Sequence, residues 1–457
     1  MPNAPTITQP VRFPDLFDRP LVIAFDQPHA SSDGGAVLVK AVDRRLGLTA
    51  RLAACLSDAR DPAKVTHALT DLLAQRVFGL ACGYADGNDA DRLADDPIQK
   101  LLLDRHPITG AALASQPTLS RFENAVGPKA LYRVGQELAA TVLDQHRARL
   151  RGRARRITID LDVTDDPTHG AQQLSFFHGH YDTWCYLPLL GFVTFNDEPE
   201  QYLCAAVLRP GNAPNAAGAL GVLRAIVTLV QQAFPHATIR VRLDGGFAHP
   251  VLLDWLDANA VEYVVAMAEN AVLTRLVAPL MADVRPVVAA TQTTEHVYGD
   301  TWYAAQSWSR ARRIIMKAEV VALEGREPRD NARFVITNLR QTPGWIYETV
   351  YCQRGEIENR IKELHHGLEI DRTSCTKFWA NQLRVLLTAA AYVLLQELRR
   401  YAARTVYARA QVTTLRARLL KLGVHVVASA RRFVLHLPQA YADRDAWAVI
   451  ARRVGAT

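Results

Sequence analysis

The chain has 457 residues, 49% of them hydrophobic, and 53 Lys and Arg against 46 Asp and Glu give a formal net charge of +7. That length implies about two to four structural units of ~150 residues, and the basic balance admits a polyanionic partner without requiring one. Six scattered cysteines without CxxC spacing exclude a zinc framework or a disulfide ladder and fit a reduced cytoplasm; no basic segment leads into an apolar core at the start, so no signal peptide is expected, and the apolar run Val385 to Leu395 is too short to span a bilayer.

Residues 1 to about 20 read as a proline-spaced arm, followed by a short strand at Leu21 to Phe25. Residues 31 to 156 read mostly helical. Asp86 to Asp96 is acidic but fails as a calcium loop, with Ala90 at the fifth position and Pro97 in place of a bidentate acid. It is expected to be a capped turn before a helix at Pro97 to Leu103. Thr118 is expected to cap a further helix that carries Arg121 and Phe122 and runs on to Leu150. That helix ends in HRARLRGRARR, which groups Arg147, Arg149, Arg151, Arg153, Arg155 and Arg156. The group is either a solvated linker or a patch that contacts phosphates.

Ile157 to Val163 alternates as a strand does, with Asp160 and Asp162 on one face. Two carboxylates on one strand face are costly unless they bind a cation or meet water. Strands at Tyr186 to Phe195 and Tyr202 to Leu208 flank a hairpin signal at Asn196 to Glu200. A helix at Ala216 to Gln232 precedes a strand at Thr238 to Asp244. Gly245-Gly246-Phe247 then turns into a helix from His249 to Ala258, and Val261 to Met267 is a fifth strand. A carboxylate at the carboxyl end of a strand, before such a turn, stands where open α/β sheets place ligands. Glycines there let a phosphate backbone approach. Asp165 and Asp166, beyond the first strand, read as capping or solvent residues.

The interval 270 to 345 is rich in Thr, Val and aromatics and carries Arg310, Arg312, Arg313 and Lys317. It reads as a mostly β insertion. Trp302 and Trp308 are either core tryptophans of a small sheet or platforms for an extruded base, worth ~1–3 kcal/mol per base. After Thr373 the chain reads as helical to about Leu422, and Val424 to Leu437 as a β-hairpin. There are no internal repeats or low-complexity segments.

The most informative stretch is Tyr351 to Leu364, YCQRGEIENRIKEL. On a regular helix of ~100° per residue, Tyr351, Arg354, Glu358 and His365 share a sector of roughly 60°. Ile357, Ile361, Leu364 and Leu368 fill an adjoining sector, and Glu356 lies more than ~140° from Glu358. By itself this is also an ordinary amphipathic helix. The spacing of Tyr, two residues, Arg, three residues, Glu resembles the start of the Tyr-Arg-Glu-Lys signature of DDE transposases from bacterial insertion sequences. The text ENRIKELHHGLEIDRTSCTKFWANQLRVLL resembles the IS thirteen-eighty family in particular. Where that signature has Lys, this chain has His365, which is not a permanent cation. Asp162-Val163-Thr164 resembles the first catalytic Asp of the group, and Asp244 at its glycine turn resembles the second.

The resemblance implies an α/β fold with a ribonuclease H-like catalytic core, split into 157–269 and 346–398 by the insertion at 270–345. A helical DNA-binding region at 1–156 and a helical and hairpin region at 399–457 flank it. It implies catalysis and metal binding by Asp162, Asp244 and Glu358, which offer the oxygen ligands that Mg²⁺ prefers, with Mn²⁺ as a substitute. Two such ions ~4 Å apart stabilise both the attacking and the leaving oxygen of a phosphodiester. Tyr351, Arg354, His365, Arg153, Arg155 and Trp302 are the expected DNA contacts. The expected substrate is double-stranded DNA, as transposon ends and target, cut and pasted by a homodimer that acts at the bacterial nucleoid. Three rivals stand beside this reading: a DNA-binding relative without catalysis, a nuclease that never joins strands, and a glycosidase with paired carboxylates that needs no metal.

Overall fold

A computed structural model describes residues 10–457, so the first nine residues of the expected arm lie outside it. The rest of the arm is not unpaired: β1 (Val11–Phe13) runs antiparallel to β2 (Leu21–Ile23). After β3 (Ala30–Ser31) come seven helices, as the helical reading of residues 31 to 156 expects. They are α1 (Val37–Leu46), α2 (Leu48–Ala54), α3 (Leu69–Ala81), α4 (Asp89–Leu93), α5 (Pro97–Leu102), α6 (Gln116–Ala125) and α7 (Pro128–Leu150). The acidic run does cap α5: the Asp96 carboxylate accepts from the N–H groups of Ile98 and Gln99. Thr118 does not cap α6. The helix begins three residues earlier at Ser115, because Pro117 fits the first turn, where a missing N–H costs nothing. Nor does one helix run to Leu150. Gly127 is extended, as a residue before proline prefers, and it separates α6 from α7.

The centre is a mixed sheet. β4 (Arg156–Val163) is followed by a small three-stranded arm of β5 (Asp166–Pro167), β6 (Phe176–His178) and β7 (Thr183–Tyr186). Then come β8 (Leu189–Phe195), β9 (Tyr202–Val207), α8 (Ala219–Ala233), β10 (Thr238–Leu243), α9 (Pro250–Ala258) and β11 (Glu262–Met267). The strand–strand–strand–helix–strand–helix–strand order matches expectation, except that Leu187-Pro188 separates Tyr186 from β8. In space the order is β9, β8, β4, β10, β11, with β4, β10 and β11 mutually parallel and β8 antiparallel to both of its neighbours, β4 and β9.

The interval 270 to 345 differs from its reading in two ways. It opens with a 21-residue helix, α10 (Ala271–Thr291), whose buried Leu273, Val277, Met281, Val284 and Val288 keep a helical period. Two interior prolines and a run of Val obscure that period in the sequence. Its strands β12 (Glu295–Tyr303), β13 (Arg312–Val321), β14 (Arg329–Asp330) and β15 (Arg333–Thr337) then extend the central sheet, with β15 antiparallel to β11.

The chain next forms a helical run from α11 (Pro343–Trp345) through α12 (Glu356–Lys362) to Gly367. α13 (Phe378–Tyr401) follows. It is longer than the apolar run within it, and by length and composition alone it would cross a membrane, but 94% of that window is buried in this fold. Its polar side chains explain the burial. Gln382 and Gln396 accept from the N–H groups of Leu208 and Leu203 and donate to the carbonyls of Ala206 and Gln201, so α13 closes the open edge at β9. The expected hairpin forms after α14 (Val412–Leu415), as β16 (Val424–Ala428) and β17 (Phe433–His436), and α15 (Arg444–Val454) ends the chain. β16 also pairs with β3 and α15 packs on α1, so the two flanking regions form one body.

Candidate active site

Asp162 and Asp244 meet because two parallel strands end together. In the β4–β10 register Asp160 stands beside Arg242, which brings Asp162 and Asp244, two residues further on, to the same edge of the sheet. Asp162 accepts from the Val163 N–H at 2.9 Å and Asp244 from the Gly246 N–H at 2.8 Å. Gly246 has no room for a side chain, since a Cβ would lie 2.4 Å from the Asn215 amide. Asp162 is only 8% exposed. Burial, together with the charges of Asp244 and Glu358, pushes its carboxyl up to about 6, against the opposing pull of Arg354.

The helical run crosses this edge, but not as a regular helix. Wide π turns at Ile346–Tyr351 and Glu363–Gly367 and a tight turn at Cys352–Gly355 flank α12, so a uniform angle per residue does not hold. The apolar side survives this: Ile357, Leu364 and Leu368 are buried, while Ile361 is half-buried. Arg354 reaches between the two aspartates, with Nη2 2.8 Å from Asp162 and 3.6 Å from Asp244. Its buried Nε and Nη2 nevertheless lack any aligned hydrogen bond. Tyr351 packs on Tyr347 with ring centroids 5.4 Å apart, and burial raises its phenol pKa. Glu358 is exposed and makes its presence felt at Asp162 through charge. Among the described residues no three His, Cys, Asp or Glu side chains are drawn together tightly enough to hold a metal ion. The all-oxygen donor set nonetheless suits a hard divalent cation. A guanidinium with two unspent nitrogens lies between two of the donors.

His365 is engaged at both ring nitrogens: Nε2 is 2.9 Å from the Thr164 hydroxyl and Nδ1 is 3.2 Å from Asp371. It is therefore tied to the Asp162 strand rather than free. Arg153 and Arg155 do not join the site. They precede β4, at the opposite end of an eight-residue strand spanning ~25 Å. The arginine group is also partly neutralised: Arg149 forks onto Glu198 with two bonds of 2.8 Å, and Arg156 pairs with Asp197. Trp302 lies on the outermost strand, β12, and is 71% exposed, so it is no core residue. Trp308 packs against Tyr303 and under the Arg312 guanidinium.

Several residues behave otherwise than their sequence positions suggest. Asp166 is fully buried and accepts from the Thr373 hydroxyl at 2.8 and 3.0 Å, so it is neither a cap nor a solvent residue. Asp160 is held by a bidentate fork from Arg242, both bonds 2.7 Å, and Arg242 also donates to the Val350 carbonyl. That pair fastens the crossing helix to the sheet. Buried Glu363 ties the same helical run to α13 further along, accepting from Arg399 and the Tyr392 hydroxyl as well as from Arg360 within the run. Only the alternation of β4 and β10 hinted at the first pair; Glu363 gave no signal. A cavity of about 640 Å³, lined mostly by residues with polar or charged side chains, lies behind the crossing helix, and none of Asp162, Asp244 and Glu358 lines it.

One edge of the mixed sheet thus carries two adjacent aspartates and is crossed by an Arg- and Glu-bearing helix. The family described as transposase DDE domain group 1 matches residues 13–456, and the chain belongs to it; it is a DNA-transposing enzyme. No curated protein sequence matches it. Among solved structures, a piggyBac transposase synaptic complex with hairpin DNA is similar at 8% identity, with a TM-score of 0.38, over 79% of this chain and 74% of that one.

Proposed function

We propose that this transposase cuts DNA at the terminal repeats of its own insertion sequence and joins the freed ends to target DNA. The observation that carries this reading is the meeting of Asp162, Asp244 and Arg354 at one sheet edge, with Glu358 on the helix above. The strand order β9–β8–β4–β10–β11 and its directions support a ribonuclease H-like core. The Tyr351–Arg354–Glu358 spacing supports the Tyr-Arg-Glu-Lys type of signature and a place in the IS thirteen-eighty family, with His365 as the departure.

In this reading Asp162, Asp244 and Glu358 hold Mg²⁺, or Mn²⁺ in its stead. The bound cation would supply charge stabilisation for the attacking and leaving oxygens. Arg354 turns its unspent nitrogens to the phosphate in a bidentate grip. Tyr351 lines the entry, and His365 holds Thr164 and with it the end of β4. Water attacks the phosphorus at each element end, the bond to the 3′ oxygen breaks, and a 3′ hydroxyl and a 5′ phosphate remain. That hydroxyl then attacks a phosphodiester of the target, so one bond forms as another breaks. Two copies pair the two ends. Arg153 and Arg155 track duplex away from the cut, and Trp302 is a further contact.

The test is a labelled fragment carrying the element's own ends, incubated with Mg²⁺ or with chelator. Metal-dependent cutting at the boundary is expected. Specific binding without cutting, in both Mg²⁺ and Mn²⁺, would leave a DNA-binding relative and make His365 the first residue to revert.

A further inference from the structure

We propose that the arm formed by β6 and β7 is a stacking platform for an unpaired nucleobase beside the phosphate that is cut. The proposal rests on the DNA-cutting reading of the neighbouring site. The arm continues the β4–β8 ladder past the carboxyl edge: Asp162 pairs with Leu190, and Asp166 and Pro167 pair with Tyr186 and Cys185. From Leu190 back to Trp184 is six residues, ~20 Å at full extension, so the arm stands within a few nucleotides of the carboxylates. Burial raises the phenol pKa of Tyr181, at the turn between the two strands, and the charges of Asp165, Asp162 and Asp244 add to it.

The arm displays aromatic surface to water. Phe177 and Trp184 are direct cross-strand partners and therefore share a face. They are 53% and 58% exposed. The two rings meet edge to face at 67° with centroids 6.5 Å apart, so they are not stacked on each other. Isolated surface hydrophobics need no explanation, but two exposed aromatic rings paired across β6 and β7 present one joint surface.

The base of the arm is held rigidly. Tyr186 donates to the Gln173 carbonyl at 2.8 Å, Gln173 donates to the Thr376 carbonyl at 3.0 Å, and the Thr168 N–H donates to the Trp184 carbonyl at 2.8 Å. A side chain at Gly211 would strike the Cys185 carbonyl. A fixed, open ring face next to a site for phosphodiesters suits a base, since every base offers a π face whatever its identity. Trp302, on the far edge strand, is a separate surface.

The test uses the full chain in chelator, so that nothing is cut, with a fluorescent duplex that is either blunt or carries a short unpaired 3′ tail. Anisotropy is expected to show tighter binding of the tailed duplex. Trp184→Ala should cost about tenfold on the tailed duplex and nothing on the blunt one. Trp184→Phe should retain the preference, and Trp302→Ala should not remove it. A 2-aminopurine in the tail should be quenched by wild type and not by Trp184→Ala. An undiminished preference in a folded Trp184→Ala, or no preference in wild type, overturns the platform alone. If Trp184→Ala melts early, Phe177→Leu is put to the same criterion. Failure to bind either duplex overturns the DNA-cutting reading as well.

Discussion

Asp160 and Asp162 sit two residues apart on β4, and each faces an arginine, yet the two pairs differ in kind. Asp160 is sealed from solvent, and Arg242 meets both of its oxygens in a fork. Arg354 comes equally near Asp162 but leaves two nitrogens without a bond and leans toward Asp244 as well. The first pair is complete and holds a helix to a sheet. The second is an unfinished contact, and its unspent donors beside a crowded carboxylate fit the proposed phosphate-handling role.

The largest expected effect separates the two aspartates by activity. Glu358→Gln or Asp162→Asn should abolish cleavage in a strand-cutting assay while sparing end binding, and Glu356→Gln should leave both unchanged. Full activity in Glu358→Gln would sink the site assignment. The second effect separates them by stability. Asp160→Ala strands a buried guanidinium and should cost about 3–5 kcal/mol in denaturant melts, and a further Arg242→Met should recover part of that loss. A mild effect of Asp160→Ala alone would mean that the pair is not a fastening.

A third, smaller effect is a pH signature. Asp162 titrates near 6 in the fold and near its ordinary 3.8 when unfolded. Between those values the folded state binds the extra proton, so stability from this group is full below pH 4 and falls as pH rises to 6. The change is on the order of 2–3 kcal/mol. Melting curves of metal-free protein across that window should slope downward for wild type and less so for Asp162→Asn; equal slopes would remove the claim that Asp162 is crowded. The smallest effect is at His365. Lys at this position can keep the contact with Asp371, which the imidazole already draws below its usual range against the effect of burial. Cleavage by His365→Lys should stay within about fivefold of wild type or improve. Loss of end binding in that variant would give the imidazole a role of its own.

Much of the candidate site, the meeting of Asp162, Asp244 and Arg354, was legible because its signals are local. Asp162 ends an alternating strand, Asp244 precedes two glycines, and Arg354 and Glu358 keep a fixed spacing on one helical run. The same local logic failed where local signals conflict. The prolines and valines of α10 masked a helical period, Pro117 moved a helix start away from Thr118, and a uniform helix angle missed the π turns around α12. The aromatic arm went unread because Phe177 and Trp184 become neighbours only through a strand register.

What the sequence determined by itself was most of the succession of elements and the places of Asp162 and Asp244 at the ends of two strands, since periodicity and glycine turns act over a few residues. Tertiary structure alone decided which charges are spent and which are free. Asp160, Asp166 and Glu363 look as available as Asp162 in the linear chain, and Arg242 looks as available as Arg354. Partners come from segments up to 207 residues away, as with Asp166 and Thr373. An ion pair's completeness depends on alignment and burial, which exist only once those distant elements pack.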